Sequence, residues 1–231
     1  MIAARAFVVW LALALAIAIV PATAKDTLVA PYYLKPGTVD LRVLLAPPPE
    51  IDSSQQQYDE KKIEQVLASR TAVDMAQVSA DAHRSIFAFT DVLGSGFAAE
   101  RVPLTTALFR NVGSDTETLI AQAKVYFARP RPAGAAQTHG SYPSGHAAFA
   151  SCAAILLGQM VPEKRLPIFA RASVFAESRI VAGVHYPSDV EAGWISGTVI
   201  AAALLREPRF VKDFSAAKAE VRRALGLPDL P

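Results

Sequence analysis

The chain has 231 residues, 52% of them hydrophobic, and a formal net charge of +2 at pH 7. This length and hydrophobic content suffice for one well-buried domain. The small net charge excludes the basic excess typical of nucleic-acid-binding proteins and the acidic excess of disordered chains, so we expect no nucleic-acid partner.

The first 24 residues have the three parts of a secretory signal peptide. Arg5 supplies the positive charge, residues 6–20 are uncharged and apolar, and Ala22-Thr23-Ala24 is a small-residue cleavage site. We therefore expect cleavage after Ala24 and export to the periplasm or the medium. An uncleaved membrane anchor is the alternative, but the apolar stretch is shorter than the roughly 20 residues that span a bilayer.

Residues 25–52 are rich in proline and predict an extended arm, and residues 53–231 predict a single helical domain. Apolar residues recur there at helical spacing, and no convincing alternating strand occurs, so the fold class is all-α, a single helical bundle. We predict helices over 53–83, 83–92, from 103, 114–127, 145–160, 163–182, 187–205 and 211–225. The later apolar runs are too short to cross a membrane, so we expect no stable membrane insertion after signal cleavage.

The single cysteine, Cys152, lies in the apolar stretch "FASCAAILL". A reactive thiol needs an accessible and electropositive setting. We therefore interpret Cys152 as a small buried hydrophobic residue, and an intramolecular disulfide is impossible.

Charged and polar residues interrupt the helical pattern at three places, which we predict to form one anion-binding site. In chain order these residues are Lys124, Arg131, Ser144, Gly145, His146, Arg179, His185 and Asp189. Arginine and lysine bind phosphate oxygens through forked and point charges. The Ser-Gly-His sequence opens a helix, where free backbone N–H groups and the helix dipole favour an anion.

The two histidines predict acid–base and nucleophilic chemistry at this site. Pro187 fits the first turn of a helix, which places His185 just before that turn and Asp189 within it. A carboxylate can hold one ring nitrogen of His185 and leave the other free to attack phosphorus. His146 would protonate the leaving alkoxide, which predicts a bell-shaped pH profile. Cations occupy the place a metal would take, so we expect no metal or other cofactor.

Together, the three clusters resemble the phosphatidic-acid-phosphatase type 2 superfamily, which also contains vanadium-dependent haloperoxidases. Its K-x6-R-P, P-S-G-H and S-R-x5-H-x3-D motifs all occur here at full spacing, between Lys124 and Asp189. "GSYPSGH" is similar to the signature of the bacterial class A non-specific acid phosphatases, which continues with threonine where this chain has Ala147.

The resemblance implies an all-helical fold of that superfamily, an acid pH optimum and broad use of small phosphate monoesters. It implies a phosphohistidine on His185, His146 as acid and Asp189 as the group that orients His185. The phosphoryl group would be bound by Lys124, Arg131, Ser144, Gly145 and Arg179. The family often forms homodimers or larger homo-oligomers.

One nearby arginine does not fit the motif: Arg129 has the wrong spacing from Lys124, and we expect it at the surface. Three other functions remain open. A lipid phosphate phosphatase is disfavoured by the missing membrane spans, and a vanadium-dependent haloperoxidase by the shorter chain. A phosphate-binding module would not need the pair His185 and Asp189 opposite His146.

Overall fold

The computed structural model describes residues 30–230, and every regular element among them is helical, which confirms the predicted all-α class. The α-helices are α1 Leu41–Leu44, α2 Ser54–Ser69, α3 Ala72–Ala80, α4 Thr90–Leu93, α5 Pro103–Phe127, α6 Gly145–Met160, α7 Arg165–Val181, α8 Pro187–Leu204 and α9 Pro208–Ala224. Short 3₁₀ turns cover Ile86–Phe89 and Pro162–Lys164. The predicted signal peptide lies outside the described residues.

Several predicted helix boundaries are wrong for local reasons. The expected helix over 53–83 is divided because Thr71 and Asp74 form a capping box that starts α3. Residues 83–92 form a 3₁₀ turn and the short α4, because Ser85 is extended and caps the turn. The helices expected from 103 and from 114 are one 25-residue helix, α5, which continues through Gly113.

The proline-rich segment before α2 is held against the bundle by a buried acid. The backbone N–H groups of Tyr33 and Leu34 donate to Asp115 Oδ2 at 3.0 and 3.1 Å. Both side chains are buried, as is Leu41 of α1. A buried carboxylate is stable only when such donors compensate its desolvation, so α5 fixes the path of this segment.

Helix α6 is the centre of the bundle and packs against α7 and α8. It is apolar around nearly its whole circumference, which is typical of a helix enclosed by others. Cys152 is buried in it, and burial raises the pKa of its thiol to about 12, in agreement with a structural role. No helix in residues 30–230 is long and apolar enough to cross a membrane.

The α6–α8 contact depends on Gly197, and we expect Gly197→Ala to destabilise the protein by about 1–3 kcal/mol. A Cβ at this position would collide with Ala148 O and Ser151 Oγ of α6, so the two helices would have to separate. Chemical denaturation of the purified variants measures this loss in the free energy of unfolding.

Gly113 supplies the matched control, because a Cβ added there has no neighbour within 4 Å. In the interior of α5, Gly113→Ala should be neutral or stabilise the protein by about 0.5–1 kcal/mol. Equal effects of the two substitutions would contradict the close-approach argument.

Candidate active site

The three polar clusters meet where the ends of four helices, α5, α6, α7 and α8, come together. Lys124 lies in the last turn of α5, and Arg179 lies in the last turn of α7. Ser144 caps α6, and its backbone N–H donates to Asp189 O at 2.9 Å. Arg131 lies in the loop after α5, and its Nη1 is 3.4 Å from His185 Nε2. Residues up to 65 positions apart in sequence therefore face one common space.

His185 is held by Asp189 through one ring nitrogen. His185 Nδ1 is 3.3 Å from Asp189 Oδ2, which also accepts the backbone N–H of Tyr186 at 2.9 Å. Burial alone would raise the pKa of Asp189, but the hydrogen bond and charge of His185 and the charge of Arg129 lower it. Because an ionised carboxylate only accepts, Nδ1 carries the proton and Nε2 has a free lone pair in the neutral ring.

Burial lowers the pKa of His185 to about 4, and the charges of Lys124 and Arg131 act in the same direction. Asp189 opposes this shift without overcoming it. The imidazole is therefore neutral at mildly acidic pH. A neutral ring with Nε2 unprotonated is the form that can attack an electrophile.

His146 lies half-buried across the site and stacks on Phe175, with 5.9 Å between the ring centroids. Its Nε2 is 3.0 Å from Ala82 O, and since a carbonyl only accepts, this nitrogen carries a proton. Burial lowers its pKa to about 4, and the charges of Arg179 and Arg84 contribute. Both imidazoles are thus neutral above about pH 4, and the bell-shaped pH profile remains a prediction.

The three predicted cations have polar partners but no carboxylate partner in the described part of the chain. Lys124 Nζ donates to Gly140 O at 2.5 Å and to Ser141 O at 3.0 Å. Arg131 donates to the carbonyls of His139 and Val184, and Arg179 to Ser178 Oγ and Val78 O. Positive charge therefore accumulates here, and Asp189 and Asp81 oppose it only through their charge, without a direct ion pair.

Burial lowers the pKa values of these three cations. Burial lowers the pKa of Lys124 to about 7, and the charge of Arg131 lowers it further in the same sense. Burial also lowers the pKa of both Arg131 and Arg179. Partly desolvated cations without a directly paired carboxylate form a site that a bound anion would stabilise.

Ser144 and Gly145 begin α6 beside these cations. Ser144 Oγ accepts the N–H of Ala147 at 3.4 Å, and a Cβ on Gly145 would meet only Arg84 Nη1 and Ile120, at 3.5 Å. Ala147, where the resembling family has threonine, is buried against α8: a Cβ on Gly193 would lie 2.8 Å from the Ala147 Cβ. The position at which this chain has alanine in place of threonine therefore lies in the contact between α6 and α8.

The prediction that Arg129 lies at the surface is wrong. Its side chain is 5% exposed and donates to Asp189 Oδ1 at 2.6 Å and to Asp59 Oδ2 at 2.9 Å. The guanidinium also lies 4.3 Å from the centroid of the Tyr186 ring. The spacing of the motif gave no reason to place Arg129 in the site. The one signal in the sequence was that Asp59 lies on the same face of α2 as the apolar Ile63, so a buried acid there would need a cationic partner.

Arg84 is a second residue that sequence reasoning missed. It pairs with Glu117 of α5 at 3.0 Å and lies next to the start of α6 at Gly145. It also borders a cavity of about 430 Å³ between the 3₁₀ turn and helices α5 and α6. The lining side chains include Ile86, Phe87, Phe109, Arg110, Ser114 and Phe149.

No three His, Cys, Asp or Glu side chains within residues 30–230 are grouped so that they could hold a metal ion. The groups that the site brings together are two neutral histidines, one carboxylate, a helix N-terminus and three cations.

Sequence comparison relates this chain to known phosphatases. A sequence profile of the PAP2 superfamily matches residues 102–211, which include every predicted site residue. The non-specific acid phosphatase of Salmonella typhimurium is 29% identical over 219 residues, covering 86% of this chain and 86% of that protein. The non-specific acid phosphatase of Providencia stuartii is 31% identical over 208 residues, covering 82% and 84%.

The fold also occurs among solved structures. The transmembrane PAP2 type phosphatidylglycerolphosphate phosphatase from Bacillus subtilis superposes with a TM-score of 0.51 at 20% sequence identity, over 70% of this chain and 87% of that chain. At this identity the similarity concerns the helical architecture alone.

Proposed function

This chain belongs to the PAP2 superfamily, with bacterial non-specific acid phosphatases among its relatives, and we propose that it is an exported acid phosphatase that hydrolyses phosphate monoesters through a phosphohistidine. One observation carries the proposal: the unprotonated Nε2 of a neutral, buried His185 faces cations that have no carboxylate in direct contact. A binding module would need the cations but not a nucleophile held by Asp189.

The proposed reaction has two steps. His185 Nε2 forms a bond to phosphorus as the ester P–O bond breaks, and the departing alkoxide takes a proton from His146. A water molecule then attacks the phosphohistidine, His146 accepts a proton from it, and inorganic phosphate leaves. Lys124, Arg131 and Arg179 stabilise the charge on the phosphoryl oxygens in both steps.

Bound substrate supplies what the free site lacks for the proton transfer. The low pKa of His146 arises from burial and from the charges of Arg179 and Arg84. A phosphoryl group placed between these cations offsets their charge, so substrate binding raises the pKa of His146 and favours its protonated form. Protonation of His146 is thereby coupled to substrate binding. Acidic pH favours the protonation of His146 and also the charged form of Lys124 that binds the phosphoryl group.

The cavity beside Arg84 accommodates the alcohol of the ester. It adjoins the start of α6, where the phosphoryl group binds, and its volume of about 430 Å³ suits a small leaving group. Phe87, Phe109 and Phe149 provide apolar walls. These features support small phosphate monoesters, including aryl phosphates, as substrates.

The first test is hydrolysis of an aryl phosphate at about pH 5–6 by the chain from Lys25 onward, with and without EDTA. We expect turnover that survives EDTA, together with a labelled phosphoenzyme that is stable to base and labile to acid, as a phosphorylated histidine is. Loss of activity in EDTA, or turnover without a trappable phosphoenzyme, would contradict the mechanism. A preference for a lipid phosphate in mixed micelles would favour a lipid phosphatase.

Export is tested separately by fractionation. We expect the protein in the periplasm or the medium, with Lys25 as its N-terminal residue. A membrane-bound product that keeps residues 1–24 would indicate an anchor.

A further inference from the structure

A buried network connects helix α2 to the acid that holds His185. Arg129 donates through Nη1 to Asp189 Oδ1 at 2.6 Å and through Nη2 to Asp59 Oδ2 at 2.9 Å. Both carboxylates are fully buried. One guanidinium is therefore shared between an acid of α8 that contacts the imidazole and an acid of α2 that does not.

We propose that Asp59 and Arg129 are positioning residues for His185: Arg129 fixes Asp189, and Asp59 takes up part of the arginine's charge so that Asp189 remains a strong acceptor for the imidazole. The inference rests on the proposed function, in which His185 is the nucleophile.

The geometry ties the same network to the backbone that carries His185. Ser188, in the first turn of α8, donates its hydroxyl to Asp59 Oδ2 in a short hydrogen bond and accepts from Arg129 at 2.8 Å. Gln56 accepts from Arg129 at 2.6 Å, so one further side chain of α2 takes part. The start of α8 is thus fixed to α2 through Arg129 and Ser188.

The charges around His185 make its hydrogen bond to Asp189 sensitive to this network. Facing the ring of His185 are Asp189 from α8, Lys124 from α5 and Arg131 from the loop after it. Two of these three are cations, so within residues 30–230 Asp189 is the acid on which the nucleophile depends for a nearby negative charge. Without Asp59, the charge of Arg129 would act on Asp189 alone and weaken its hold on the Nδ1 proton.

The decisive variant is Asp59→Asn, which keeps the shape of the side chain and removes its charge. We expect kcat to fall about tenfold with KM changed less than about threefold, because the phosphate-binding cations are untouched. We also expect the acid limb of kcat/KM to move down by about 0.5–1 pH unit, because a lost negative charge disfavours protonated His185. Titration of the substrate is the same for every variant, so differences between the profiles report the enzyme.

The arginine variants test the sign and the geometry. Arg129→Met removes a positive charge, so its acid limb should move up, opposite to that of Asp59→Asn. Arg129→Lys keeps the charge but loses the fork that reaches both carboxylates, so kcat should fall while the acid limb stays in place.

Two remote buried groups supply matched structural controls. Glu220 caps the start of α5 through Thr105 N at 2.8 Å, and Arg222 pairs with Glu163 at 2.8 Å. Glu220→Gln and Arg222→Met should lower the melting temperature without moving the acid limb.

A purely structural network would make Asp59→Asn behave like Glu220→Gln, with an unshifted acid limb, and this would overturn the inference. If Asp59→Asn does not fold, Arg129→Lys provides the test. A kcat of Arg129→Lys equal to that of the wild type would overturn the inference. Failure of the proposed function is distinguishable, because it would appear as turnover in His185→Ala.

Discussion

Replacement of His185 by alanine should lower kcat for an aryl phosphate at least about 10⁴-fold and abolish the trappable phosphoenzyme. The reason is geometric as well as chemical. His185 Nε2 is unprotonated and lies 3.4 Å from Nη1 of the cation Arg131, while Nδ1 is committed to Asp189. Without the imidazole, water would have to attack the ester directly. The measurement is steady-state turnover beside base-quenched labelling with a phosphate ester.

Two other histidines provide controls within the same chain. His83 and His139 are exposed, and their replacement by alanine should leave kcat within about twofold of the wild type. Imidazole added to His185→Ala should restore part of the activity, because a free ring can occupy the vacated space and attack phosphorus. Turnover of His185→Ala within tenfold of the wild type would exclude this residue as the nucleophile.

The parts of the site that sequence reasoning could predict are those encoded by local chemistry. Serine before a glycine predicts the start of α6, and proline at 187 predicts the start of α8; both helices begin at those positions. The short spacing from His185 to Asp189 is sufficient to bring ring and carboxylate together around one helix turn. Such features depend on a few neighbouring residues, so the sequence contains them.

Arg129 shows why the rest could not be predicted. Its environment is made by Asp59, 70 residues earlier, and by Asp189, 60 residues later. Neither partner is identifiable until α2 and α8 are packed together. Likewise Arg84 follows a helix that sequence periodicity continued too far, so its place beside Gly145 could not be inferred. Long-range ion pairs carry no periodic signal that a single sequence reveals.

The titration of the site is a second property that depends on packing. From residue types alone, His146 and His185 appear as an acid and a base with ordinary and separate pKa values. Burial among Lys124, Arg131 and Arg179 places the pKa of both rings at about 4 and leaves Lys124 as the group with a pKa near neutrality, at about 7. In the free enzyme the basic limb of activity therefore has two contributions: loss of the proton of His146 above about pH 4 and loss of the proton of Lys124 near pH 7.

Lys124→Met should accordingly lower kcat/KM by about 10²–10³-fold, and Lys124→Arg should change the pH dependence of anion binding. Lysine binds an anion in its protonated form, which predominates below its pKa of about 7 and is lost above it. In the wild type, competitive inhibition by sulfate, which stays a dianion throughout, should therefore weaken as the pH rises through about 7. In Lys124→Arg the guanidinium stays charged, so this weakening should disappear.

The pH profiles of kcat and kcat/KM provide a second test of whether the ionisation of Lys124 sets the basic limb at about pH 7. A bound phosphoryl group stabilises the charged lysine, so the basic limb of kcat, which reports the complex, should lie at higher pH than that of kcat/KM. The acid limb should coincide in the wild type and in Lys124→Arg, because it reports protonation of the nucleophile His185. If sulfate inhibition weakens equally through pH 7 in both proteins, Lys124 does not set the basic limb. A different group near the phosphoryl oxygens would then have to lose its proton there.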